Sequence, residues 1–132
     1  MKYLKVAIAG LLLVAVLASC QQNSSPKFNE EFVHSVYIWL KNPDSTEDRA
    51  AFEKSLKKFL KDSQYAETNY VGTPPKAVRD VVDDSFTYNL IVTFPSAEAQ
   101  QQYQDEPAHK LFIQESSSLW SKVIVYDSQT IQ

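Results

Sequence analysis

Residues 32–40 read Phe-Val-His-Ser-Val-Tyr-Ile-Trp-Leu. β-Branched and aromatic side chains dominate this run, which marks a strand. Side chains alternate between the two faces of a strand. His34, Val36, Ile38 and Leu40 therefore share one face, and Val33, Ser35, Tyr37 and Trp39 share the other. Both faces are mostly apolar, so both call for cover. Helices of the same chain can cover one. So small a domain has little left for the second, and another copy of the chain is the natural cover. One strand thus predicts a homodimer.

Working outward, Asn42-Pro43-Asp44 ends the strand. Asp44 or Ser45 caps a helix whose first turn holds Glu47 and Asp48, suiting the positive end of its dipole. Phe52, Leu56, Phe59 and Leu60 form one apolar stripe, while Lys54, Lys57, Lys58 and Lys61 form a solvated face. Ala66 to Gly72 reads as a second strand, followed by a Thr73-Pro74-Pro75 turn. Residues 76–85 read as a loop, where Asp80, Asp83 and Asp84 lack the ligand spacing of a calcium site and are taken as solvated charges. In the third strand Phe86, Tyr88, Leu90, Val92 and Phe94 are expected on one face. Ser96 caps a second helix through about Gln104, Pro107 restarts it, and its second part is expected to run to about Leu119. Val123 to Tyr126 reads as a short last strand. The order β-α-β-β-α-β is the ferredoxin-like split arrangement, an α+β fold.

The N-terminal segment stands apart from this domain. Lys2 and Lys5 precede an apolar run of twelve residues, Val6 to Leu17. A spanning helix needs about 20 residues, so the run fits a secretory signal instead. Leu17-Ala18-Ser19-Cys20 resembles the lipobox of bacterial lipoproteins. That resemblance implies cleavage after residue 19 and lipidation of Cys20, with acyl chains such as palmitate entering the bilayer. Two or more such chains anchor a protein stably. The implied organisation is a signal peptide at 1–19, a lipidated cysteine and polar tether at 20–30, a domain at 31–128 and a tail at 129–132. Gln21 after the cysteine favours the outer membrane of the bacterial envelope, with the domain facing the periplasm.

Composition excludes several activities. Cys20 is the only cysteine, so a lipidated chain has neither a disulfide nor a thiolate metal site. Without Lys2 and Lys5 the chain keeps 11 basic residues against 16 acidic ones, which argues against nucleic acid as a partner. Gly72 is the one glycine after the signal segment, so no Gly-rich phosphate or dinucleotide loop and no nucleophile elbow can form. No cofactor is expected, and no histidine spacing encourages a metal site. Ser116-Ser117-Ser118 reads as surface.

Two histidines remain, His34 on the first strand and His109 in Glu106-Pro107-Ala108-His109. With Pro107 at the first helical position, His109 sits in the first turn, where the helix dipole opposes a positive charge. Burial pushes the same way, so a neutral imidazole is expected at pH 7. If helices pack on the face of His34, the two rings converge.

His34-Ser35-Val36-Tyr37, Gly72, Val92-Thr93-Phe94, Tyr103 with Glu106-Pro107-Ala108-His109, and Trp120 through Asp127 together resemble the stress-responsive dimeric α/β-barrel (Dabb) family. The resemblance implies a dimeric α+β barrel, two sheets face to face. One plant branch of the family is a cofactor-free polyketide cyclase. By that resemblance His34, Tyr103 and His109 are the candidate catalytic residues, a neutral histidine taking a proton alpha to a carbonyl. The same motif recurs in members without such activity, where it caps and packs the helix. Tyr37, Trp39, Tyr88, Phe112 and Trp120 are expected as pocket or dimer contacts. Three functions follow: binding of a small apolar or aromatic molecule, or an envelope stress role; cyclase or isomerase chemistry through an enolate; and a dimeric interaction module without a ligand.

Overall fold

The computed structural model describes residues 27–66 and 68–131. The signal segment, Cys20 and the tether up to residue 26 lie outside the described residues. Strand β1 (Phe32–Leu40) forms where the alternation predicts it, and buried residues alternate along it with half-buried ones. Helix α1 (Thr46–Asp62) starts at Ser45, whose side chain accepts from the Asp48 N–H at 3.2 Å. Its stripe of Phe52, Leu56 and Phe59 is buried, joined by Ser55. Strand β2 (Thr68–Gly72) is shorter than expected.

A long loop leads to β3 (Tyr88–Phe94), then α2 (Ala97–Asp105), α3 (Pro107–Ser116) and β4 (Trp120–Gln129). Ser96 caps α2 through the Ala99 N–H, and Pro107 opens α3 with Glu106 as its N-cap. The sheet order is β2-β3-β1-β4, antiparallel throughout. This is the ferredoxin-like α+β fold. The helices cover the face of His34, Val36, Ile38 and Leu40; Phe52, Phe59, Phe94, Tyr103 and Phe112 interlock there as a continuous aromatic core.

Four further expectations need correction. β4 is ten residues, not four, because it pairs with all of β1 from Phe32↔Gln129 to Leu40↔Trp120. It passes residue 128 by one. Pairing of the backbone, not burial of side chains, extends it through polar Ser121, Lys122 and Asp127. Phe86 does not share a face with Tyr88. It precedes β3, and its ring meets Tyr37 and Trp39 on the opposite face, at 5.0 and 6.5 Å between centroids. α3 ends at Ser116 rather than near Leu119, since the Leu119 N–H turns back to the Ser116 carbonyl and leads directly into β4. Ser116 itself is fully buried, whereas Ser117 and Ser118 are exposed.

Among the described residues no helix covers the sheet's other face. Val33, Tyr37, Trp39, Ile91, Tyr70, Ile124 and Tyr126 lie on it by register. Gly72 lies beside Tyr70 there, and a Cβ at Gly72 would sit 2.5 Å from the Tyr70 hydroxyl. The aromatic ring occupies the space that the missing side chain leaves. Among the described residues no helix is long and apolar enough to cross a membrane.

Candidate functional site

β1 points His34 under the helices, where it is 3% exposed. Its register partner is Asp127 on β4, and Nδ1 lies 2.6 Å from Asp127 Oδ1. A carboxylate only accepts, so Nδ1 is the donor, and Nε2 is the ring's remaining polar atom. Tyr103 descends from α2 onto this ring, with centroids 5.8 Å apart, and is 1% exposed. Burial, and secondarily the Glu106 charge, pushes the Tyr103 hydroxyl far above its ordinary pKa, so it stays a proton donor.

His109 is the third residue of α3, as Pro107 at its start dictates. Its ring lies 5.1 Å from Tyr103 and 5.3 Å from Phe59. Burial chiefly, then the His34 charge, lowers the His109 pKa, against opposing pulls from Glu106, Asp105 and a hydrogen bond to the Gln104 backbone. The imidazole is neutral at pH 7. His34, Tyr103 and His109, 75 residues apart at their extremes, thus meet in one place.

They meet at a cavity of about 300 Å³ between the sheet, α2 and α3. His34, Tyr103, Gln104 and His109 supply its polar groups; Val36, Ile38, Leu90, Phe112, Trp120 and Val123 supply apolar wall. The register places His34 and Asp127 toward one end and Ile38 and Val123 toward the other. A larger groove of about 560 Å³ lies outside, between the end of α1 and the α2–α3 break, but Lys58, Asp62, Gln101 and Asp105 make it polar and solvated.

The five expected contact residues divide. Phe112 and Trp120 line the cavity. Tyr37 and Trp39 lie on the uncovered face with Phe86 and Tyr126, beside a groove of about 470 Å³ where Lys122 Nζ sits 4.4 Å from the Trp39 ring centre. Tyr88 does neither. It starts β3 beneath α1, where its ring stacks on Phe52 at 4.9 Å and its hydroxyl donates to Glu53 Oε1 at 2.8 Å. Among the described residues no three His, Cys, Asp or Glu side chains converge as a metal group. Asp80, Asp83 and Asp84 are all exposed.

Two residues of the site escaped the sequence reading. Asp127 became visible only with the β1–β4 register. Glu106 is buried at the α2–α3 break; its Oε2 accepts from the Gln64 N–H at 2.9 Å, while Oε1 has no partner among the described residues. Its place beside Pro107 and His109 was the available signal.

An antiparallel ferredoxin-like sheet, with helices on one face and a histidine–tyrosine cavity beneath them, defines a protomer of the α/β-barrel class. Residues 32–130 match the stress-responsive A/B barrel domain, and the chain belongs to that family, Dabb. Solved structures agree in fold. A Dabb-family protein from Mesorhizobium loti is 18% identical, with a TM-score of 0.64, covering 76% of this chain and 97% of that one. A dimeric protein of ferredoxin-like fold from Bacteroides fragilis is 13% identical, with a TM-score of 0.60, covering 79% and 100%. A hydroxynitrile lyase from Passiflora edulis is 18% identical, with a TM-score of 0.66, covering 78% and 96%. At these identities the likeness is one of fold. No curated protein matches the chain.

Proposed function

We propose that this chain is a lipid-anchored homodimer of the bacterial envelope that binds a small apolar or aromatic molecule in the cavity of His34, Tyr103 and His109. The observation that carries the reading is a concave apolar site with a few polar groups converging at one end, the usual form of a small-molecule site. The uncovered aromatic sheet face and the dimeric state of the Bacteroides fragilis protein support pairing. Leu17 to Cys20 supports the anchor, and Gln21 the outer membrane facing the periplasm. An envelope stress role fits the name of the family. The test is to purify the protein from cells, extract it and identify small molecules by mass spectrometry. A recurring molecule lost on His109→Ala, with folding kept, supports the reading. An empty cavity in every preparation would leave the sheet surface as the whole function.

The His34–Asp127 pair favours a second reading, cofactor-free cyclase or isomerase chemistry. An imidazole nitrogen, at His109 or at Nε2 of His34, takes a proton alpha to a carbonyl, and Tyr103 donates to the resulting enolate oxygen. Deuterium uptake alpha to the carbonyl of a bound ketone, read by NMR in heavy water, tests it. His34→Gln and His109→Gln should abolish any such exchange.

A further inference from the structure

We infer that the outer groove, between the end of α1 and the α2–α3 break, binds a linear aliphatic oligoamine, with its ammonium groups at Glu106 and Asp105 and its methylenes along the groove's apolar floor. The groove is separate from the inner cavity, and the inference stands apart from the ligand reading above. Three observations carry it.

The first is a buried carboxylate that is only half paired. Glu106 is 6% exposed and borders this groove rather than the inner cavity. It is the N-cap residue of α3, yet its side chain makes no cap hydrogen bond there. Its Oε2 instead accepts from the N–H of Gln64, just past the end of α1, and its Oε1 has no partner among the described residues. A buried carboxylate oxygen without a donor is costly. An ammonium group brings three N–H donors and the opposite charge.

The second is the balance of charge. Asp62, Asp105 and Glu106 border the groove against one cation, Lys58. Lys58 is engaged with Asp62, its Nζ 3.3 Å from Oδ2. Asp105 Oδ2 accepts from Gln101 Nε2 at 2.9 Å, an uncharged donor. Among the described residues, neither Asp105 nor Glu106 is paired with a cation. Asp105 closes α2, whose last turn holds no basic residue, so the negative end of that helix adds to the same field. An anion is repelled here, and a ligand with two positive charges matches the excess.

The third is the floor. Pro107, Ala108 and Leu111 at the start of α3 lay an apolar strip beside these carboxylates, in a groove of about 560 Å³. Methylenes placed on that strip leave water at a gain. The acidic side chains do not converge as a metal group. An extended organic cation, charged at its ends and apolar between them, fits this layout better than a point ion.

The test is calorimetric titration of the full chain in zwitterionic phospholipid nanodiscs at low ionic strength, with empty nanodiscs as the blank. The probes are diaminobutane, spermidine, butanediol and diaminobutane methylated to its bis-quaternary form. Both amines should bind, spermidine the more tightly, and butanediol should not. The quaternary form keeps the charge and has no N–H, so it should bind at least about tenfold more weakly. Glu106→Gln and Asp105→Asn should each weaken diaminobutane binding about tenfold. Asp105 is exposed, so its variant tests the site even if Glu106→Gln does not fold. Asp80→Asn makes the same charge change at an exposed residue outside the groove and should leave binding as it is. Failure of both amines to bind would overturn the inference. So would equal binding of butanediol or of the quaternary form, or a loss on Asp80→Asn as large as that on Asp105→Asn.

Discussion

His109 is neutral because of where the chain puts it, half-buried at the head of α3 against Phe59 and Tyr103. Its ring proton should titrate by NMR below the ordinary histidine value of about 6.5; a midpoint at or above that value would contradict the burial argument. The sign for stability follows. A histidine with a depressed folded pKa contributes in full above its unfolded pKa, and the contribution is lost as pH falls from about 6.5 through the folded value. Urea midpoints of His109→Gln should therefore fall less steeply than the parent's between pH 7 and 5. Asp127→Leu removes the acceptor from a buried His34 and should cost about 1–3 kcal/mol in urea unfolding, with Asp127→Asn milder because its carbonyl still accepts. His109 was legible from its place two residues after Pro107, whereas Tyr103 was named only through the family resemblance. Asp127 was not, because which strand residue faces which is decided by pairing across 93 positions of sequence. Ser116 was misread because its neighbours are polar, while one turn of helix carries its own side chain inward.

The elements were legible where local chemistry and tertiary packing agree. β1 declares itself by alternation and α1 by its stripe and its cap. Ser45→Ala should cost about 1 kcal/mol, measured by chemical unfolding, since an orphan N–H at Asp48 loses its acceptor. No change on Ser45→Ala would mean that packing alone holds α1. β4 was read too short because its ends are polar and only β1 explains them. Phe86 broke the alternation because β3 begins at Tyr88, two residues later than the pattern suggested. The break between α2 and α3 was foreseeable, as Pro107 offers no N–H to continue the first helix.

At the scale of the molecule, the described residues cover one sheet face with helices and leave the other without one. Tyr70 and Tyr126 are 58% and 62% exposed, and Tyr37 and Trp39 are half-buried beside them. A face of this kind across four strands suits the roughly 800 Å² per partner of a stable interface. Trp39→Glu should separate the copies and leave α1 and the cavity intact, because Trp39 points away from both. The need for cover on this face was legible in β1, and a second copy of the chain was read as what supplies it. The decisive measurement is the molar mass of unlipidated residues 21–132 by light scattering at micromolar concentration. Twice the protomer mass is predicted, and a stable, cooperatively folded single copy would contradict the account.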